Sequence, residues 1–214
     1  MSQPAITFFH GPQTRSSGIA VLIEELGVPV ERKVFNMKAG EHRRADYLAI
    51  NPMGKVPAIK VGDEVITEQA AIAIYLADLF PQAGMAPKID EPLRGSYLRW
   101  FVYYGSCFEP AVIDKALNRD AGQQQMSAYG SYEAVLDTVC AQLRKGPYML
   151  GERFSALDIL WGSALRWTVG FKIIPEKPEI MAYIARITGR PSFAKVAAMD
   201  AEITAQQAIA AGQG

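Results

Sequence analysis

Two short stretches of this 214-residue chain carry residue types able to hold a ligand. The first is Asn51-Pro52-Met53-Gly54-Lys55-Val56-Pro57-Ala58-Ile59. A proline at the doorstep of a strand has no N–H for the ladder. Pro57 therefore either opens the strand in trans or follows a cis bond, which the trans preference of only about 0.5–1 kcal/mol permits. The cis form would turn the Val56 N–H and C=O outward, ready to take an extended, peptide-like ligand as an extra strand. The second stretch is Thr67-Glu68-Gln69-Ala70-Ala71-Ile72, a strand running into a helix. Thr67 is an eligible N-cap, and the free N–H groups and positive dipole end beside it suit a carboxylate. Glu68 is placed to hold an ammonium, so the pair matches the carboxylate-plus-amine end of an amino acid. Taken alone, Glu68 also reads as a plain complement to the helix dipole.

The elements that position these stretches follow from periodicity. Residues 5–9 form a short apolar run ending at Gly11-Pro12, a buried strand. Ile19, Leu22, Ile23 and Leu26 have helical spacing, and Gly27 stands where a C′ glycine would. Residues 30–36 alternate as a strand, 40–50 read as loop and short helix, and 56–61 and 64–66 are strands joined by the Gly62-Asp63 turn signal. Residues 70–80 are again helical and close at Pro81. Strand, helix, strand gives a parallel pair and the hairpin an antiparallel one, so residues 4–82 form a small α/β domain. After the proline- and glycine-bearing stretch 81–88, the patterns at 93–117, 131–144, 156–170, 178–188 and 192–207 are all helical. Residues 90–208 are thus expected as an all-α domain, with an Ala-rich tail that frays from Ala205.

Composition narrows the function. The chain has 22 Lys+Arg against 22 Asp+Glu, and half of its residues are hydrophobic. Zero formal charge disfavours nucleic acid or an anionic membrane as partner. No apolar run approaches the ~18 residues of a membrane span. The start, Met1-Ser2-Gln3-Pro4-Ala5, lacks the basic and apolar regions of a signal peptide. Cys107 and Cys140 are too few for a disulfide scaffold, and neither they nor His10 have partners at metal spacing, so no metal is expected. A cytoplasmic location is the expectation.

With these segments in this order, the sequence resembles the cytosolic-type glutathione S-transferases, over nearly its whole length. Asn51–Pro57 is similar to that family's cis-proline motif and Thr67–Ile72 to its Glu-Ser-x-Ala-Ile motif. Ser155 and Asp158 in Phe154-Ser155-Ala156-Leu157-Asp158-Ile159 are similar to its structural capping box. The resemblance implies a thioredoxin-like domain followed by an all-helical bundle. It also implies glutathione as co-substrate: cysteinyl backbone on Val56 beside Pro57, γ-glutamyl carboxylate on Gln69 and the helix N-terminus, amine on Glu68, glycine carboxylate near Lys55. Gln69 stands where serine is usual.

A free thiol, pKa ~8.5, is only a few per cent thiolate at neutral pH, so a transferase must stabilise the sulfur anion. The family places Tyr, Ser or Cys just after the first strand. Here that loop, His10-Gly11-Pro12-Gln13-Thr14-Arg15-Ser16-Ser17, has neither Tyr nor Cys. Thr14 aligns with the hydroxyl position; Ser16 and then His10 are the next candidates, while capping of the first helix is the other use for both hydroxyls. On the helix from 93, Tyr97, Trp100, Phe101, Tyr104 and Phe108 share one broad face. The resemblance implies that Tyr104, Cys107 and Phe108 face a pocket for an apolar electrophile, with Cys107 a small hydrophobe and not a nucleophile. It implies a homodimer as well. The expected activity is conjugation of glutathione sulfur to an apolar electrophile. The alternatives are a non-catalytic binding protein of this fold, or glutathione-dependent isomerisation or peroxide reduction on the same site.

Overall fold

The computed structural model describes residues 4–212; Met1–Gln3, on which the signal-peptide expectation partly rests, lie outside the described residues. The chain forms two compact units, one comprising residues up to Ala83 together with those from Arg190, the other Gly84–Gly189.

The first unit is built on a four-stranded sheet of order β2-β1-β3-β4, with β1 (Ile6–His10), β2 (Glu31–Val34), β3 (Ala58–Val61) and β4 (Glu64–Ile66). β1 runs parallel to β2 and antiparallel to β3, and β3 is antiparallel to β4, the pairing that the alternation and the hairpin signal require. α1 (Ser16–Leu26) buries Ile19, Leu22, Ile23 and Leu26 and ends at Gly27 (φ 65°), whose N–H bonds the carbonyls of Ile23 and Glu24. The expected helix at 40–50 is a 3₁₀ turn and α2 (Ala45–Leu48), and α3 (Gln69–Leu79) follows β4. β3 starts at Ala58, two residues later than the pattern suggests, so Val56 and Pro57 stand just ahead of the ladder.

The last helix differs from expectation in two respects. α9 (Pro191–Gly212) stays helical where fraying is expected, and it belongs to the sheet unit instead of the helical one. The start of α9 is tied to the C-terminal end of α1 by charge-assisted bonds. Glu25 takes Arg190 through Nε (2.8 Å) and Nη2 (2.7 Å) and the Ser192 hydroxyl (2.6 Å), while Glu24 takes Lys195 (2.5 Å) and Arg32 (2.7 Å). Lys195 above all holds Glu24 below the usual carboxylate range, and Arg190 does so for Glu25.

The second unit contains α4 (Arg94–Tyr103), α5 (Glu109–Ala116), α6 (Tyr132–Leu143), α7 (Ala156–Gly170) and α8 (Pro178–Thr188). The single helix expected over 93–117 is interrupted by a π-type turn, Tyr104–Phe108, in which the Glu109 N–H reaches the Tyr104 carbonyl. Pro110 supplies no N–H to continue an α-helical ladder there, and the wider turn absorbs the gap. The aromatic face nevertheless points inward as the spacing predicts, with Tyr97, Trp100, Phe101, Tyr104 and Phe108 all buried. Trp161 of α7 is their hub, with ring centroids 4.9 Å from Phe108, 5.8 Å from Tyr104 and 5.9 Å from Trp100. In the first turn of α7, the Asp158 carboxylate accepts from the Ser155 N–H (2.9 Å) and hydroxyl (3.2 Å). It also accepts from the Met149 N–H and the Tyr183 hydroxyl, both at 2.8 Å. Burial nonetheless pushes its pKa up to about 6.

Candidate functional site

Sheet register brings three loops to one end of the first unit. Phe9 of β1 pairs with Ala58 of β3, and Ile59 of β3 with Ile66 of β4. The chain leaving β1, the chain entering β3 and the chain leaving β4 therefore emerge side by side. A Cβ on Gly11 would lie 3.4 Å from Val56 Cγ2, which measures how closely the first two approach.

The β1–α1 loop is a dense hydrogen-bond network. Thr14 Oγ1 lies 2.7 Å from both the Gly11 carbonyl and Ser16 Oγ, and accepts from the Ser16 N–H at 3.2 Å. Ser16 Oγ accepts from the Gly11 N–H (3.1 Å) and lies 2.9 Å from the Gly11 carbonyl and 2.8 Å from His10 Nδ1. Ser16 and His10 are fully buried, whereas Thr14 is half-exposed. Gln13, exposed, holds a left-handed φ of 58°. Behind the loop stands a residue that sequence reasoning missed. Asp200 of α9 accepts from His10 Nε2 (2.9 Å) through one oxygen, and from the Gln13 N–H (2.9 Å) and Ser17 hydroxyl (2.5 Å) through the other. No periodicity signal marks it, since it lies 190 positions from His10.

The segment entering β3 carries a cis Val56-Pro57 bond. Among the described residues the Val56 N–H and C=O have no backbone partner. The preceding loop is tied down by its Lys55 carbonyl, which accepts from the Tyr47 hydroxyl (2.6 Å) and Asn51 Nδ2 (2.9 Å), leaving the Lys55 side chain exposed. At the third loop the expected Thr67 cap is replaced. α3 begins at Gln69, and Glu68 occupies the N-cap position at φ 64° without a side-chain cap. Thr67 Oγ1 instead points to Glu68 Oε1 at 3.5 Å. A non-glycine residue held at positive φ is characteristic of ligand clamps. Gln69 Oε1 is buried without a hydrogen-bond partner among the described residues, an acceptor that a bound donor would satisfy.

In the second unit, Tyr104 and Phe108 are buried against Trp161 while Cys107 is half-exposed, its Sγ 3.8 Å from the Ala128 carbonyl. Cys107 is therefore less buried than a core hydrophobe. Among the described residues no group of three or more His, Cys, Asp or Glu could hold a metal, and no helix is long and apolar enough to cross a membrane.

Residues 4–78 match the glutathione S-transferase N-terminal domain family. The chain is 27% identical to glutathione S-transferase PARB of Nicotiana tabacum, over 87% of this chain and 94% of that one. It is 28% identical to glutathione S-transferase F10 of Arabidopsis thaliana, covering 88% and 95% of the two. Among solved structures, a glutathione transferase from Methylococcus capsulatus superposes with a TM-score of 0.77 at 28% identity, covering 92% of this chain and 99% of that one. A Sulfitobacter glutathione transferase homolog with bound glutathione gives 0.73 at 28% identity, over 90% and 96%.

Proposed function

We infer that the chain is a glutathione S-transferase of the cytosolic type, and that its own residues divide the work of glutathione transfer as follows. Glutathione is the co-substrate. Its cysteinyl backbone pairs with the N–H and C=O of Val56 beside Pro57, in the manner of an added strand. Lys55 meets its glycine carboxylate. Its γ-glutamyl carboxylate takes the N–H groups opening α3, and its amine takes Glu68 and the Gln69 oxygen. The thiol then rests on the β1–α1 loop, where half-exposed Thr14 is the donor to the sulfur anion. The observation that carries this reading is the register of β1, β3 and β4, which sets these three loops side by side. The second substrate is an apolar electrophile taken by the Tyr104–Phe108 turn, with Cys107 at its accessible point and Tyr104 and Phe108 as apolar backing. The chain pairs as a two-fold homodimer.

The test is an ultraviolet titration of the thiolate with glutathione bound. The bound thiol should ionise well below its free value. Thr14→Ala should return it towards that value and lower turnover about tenfold or more, with glutathione affinity within about twofold. Unchanged turnover in Thr14→Ala would move the role to Ser16 or His10. An unmoved thiol in the native protein would leave binding without activation and overturn the reading.

A further inference from the structure

Stabilising a thiolate leaves open where its proton goes, and the first unit contains a destination. From the half-exposed Thr14 hydroxyl a chain of short contacts runs inward: 2.7 Å to Ser16 Oγ, 2.8 Å to His10 Nδ1, and 2.9 Å from His10 Nε2 to Asp200 Oδ1. A carboxylate only accepts, so His10 Nε2 carries a proton, and in the neutral imidazole Nδ1 then offers a lone pair to Ser16. Burial pushes the Asp200 carboxyl up, but the bonds from His10, the Gln13 N–H and Ser17 outweigh it and hold the group below its ordinary range. Asp200 is thereby kept ionised. The surrounding charges do not compete for this role: Arg32 of β2 and Lys195 of α9 are both paired with Glu24 of α1. On the β1 side the His10 ring lies against the Phe8 ring, centroids 5.4 Å apart. The two hydroxyls can also turn, since each lies within hydrogen-bond distance of the Gly11 carbonyl as well as of the other.

We propose that Thr14, Ser16, His10 and Asp200 form a proton relay that carries the glutathione thiol proton inward to His10. The proposal rests on the reading that Thr14 faces the thiol. As the S–H bond breaks, its proton joins the Thr14 oxygen, the Thr14 proton passes to Ser16, and the Ser16 proton passes to Nδ1. The products are a thiolate held by the renewed Thr14 O–H and a buried imidazolium paired with Asp200. No proton enters solvent in this step and no further reactant is needed. Once the sulfur is alkylated the imidazolium loses its proton to solvent water, outward along the same hydroxyls. His10 is thus the proton acceptor of the reaction, and Asp200, on the last helix of the chain, positions and compensates it.

The decisive measurement counts protons. Calorimetric titration of the native protein with glutathione, in buffers of different ionisation enthalpy, gives the protons released on binding. The same count with S-methylglutathione, which has no thiol proton, is subtracted, and thiolate absorbance is read in parallel. The expected result is thiolate formation near neutral pH with far less than one proton released per thiolate. Ser16→Ala, which cuts the chain, should release about one per thiolate. Asp200→Asn should lower the thiolate-to-thiol ratio about tenfold. Glu25→Gln, which loosens α9 without touching His10, should leave both readings at native values. Release of a full proton per thiolate by the native protein, or an effect of Glu25→Gln equal to that of Asp200→Asn, would overturn the relay. Absence of thiolate in the native protein is a different result, for it removes the role of Thr14 itself.

Discussion

Gly54 fixes the backbone ahead of Lys55 and Val56 at φ 57°, where a side chain is strained whatever the space around it. The space is also filled: a Cβ there would lie 2.7 Å from Arg43 Nη1 and 2.9 Å from both the His42 carbonyl and Leu48 Cδ2. Arg43 can swing away, but the His42 backbone cannot. Gly54→Ala should therefore cost about 1–3 kcal/mol and displace the segment proposed to pair with glutathione. Raised KM for glutathione with kcat held is the expected kinetic pattern, since only binding contacts move. Equal KM in the variant would show that Val56 is positioned independently of Gly54. The backbone features around the candidate residues were legible in the sequence because their signals are local. Val56-Pro57, Glu68-Gln69 and the Thr14–Ser16 hydroxyls are each read from neighbours within a few positions. Asp200 was not, because nothing in an amphipathic helix near the C-terminus marks one carboxylate as the partner of a histidine near the start of the chain.

At the scale of elements, α7 and α8 meet at Gly162, and the sequence gives a reason only after the packing is seen. A Cβ added there would meet the branched Ile187 side chain, with Ile187 Cβ 2.8 Å away. Ile187 is fully buried and has no room to retreat. Gly162→Ala should destabilise the second unit by about 1–3 kcal/mol through overpacking, despite alanine's better helix propensity. A urea midpoint equal to or above that of the native protein would contradict this packing. Helix periodicity identified α7 to the residue and the buried aromatic face of α4, because both signals repeat every turn. It could not reveal the π-type turn at Tyr104–Phe108, whose cause is the single missing N–H of Pro110. Nor could it assign α9 to the sheet unit, since its anchors to Glu24 and Glu25 are charged pairs across more than 160 positions.

For the whole molecule, zero net charge hides carboxylates that respond to acid in opposite directions. Asp158 in the second unit is raised by burial to about 6, so its charged form burdens the native state at neutral pH. Because the folded value exceeds the unfolded one, that burden is fully present above pH 6 and is relieved as pH falls towards 4. The first unit behaves in the reverse sense: Glu24, Glu25 and Asp200 are held below their ordinary values. Their contribution is intact above about pH 4.5 and is lost only as pH falls through the depressed values. The chain's own composition separates the two responses. Trp100, Trp161 and Trp167 all lie in the second unit, and both histidines, His10 and His42, lie in the first. Tryptophan emission therefore follows a unit in which Asp158 is the one carboxylate shifted upward among the described residues. Lowering the pH from 7 to 5 should raise the stability reported by tryptophan in urea by about 1 kcal/mol. Asp158→Asn, which resembles the protonated acid in shape and charge, should flatten that dependence. Below about pH 4, amide exchange should accelerate first in α1 and α9, where the carboxylates lose their partners, while α7 remains protected. The same pH slope in Asp158→Asn as in the native protein would place the titrating group elsewhere.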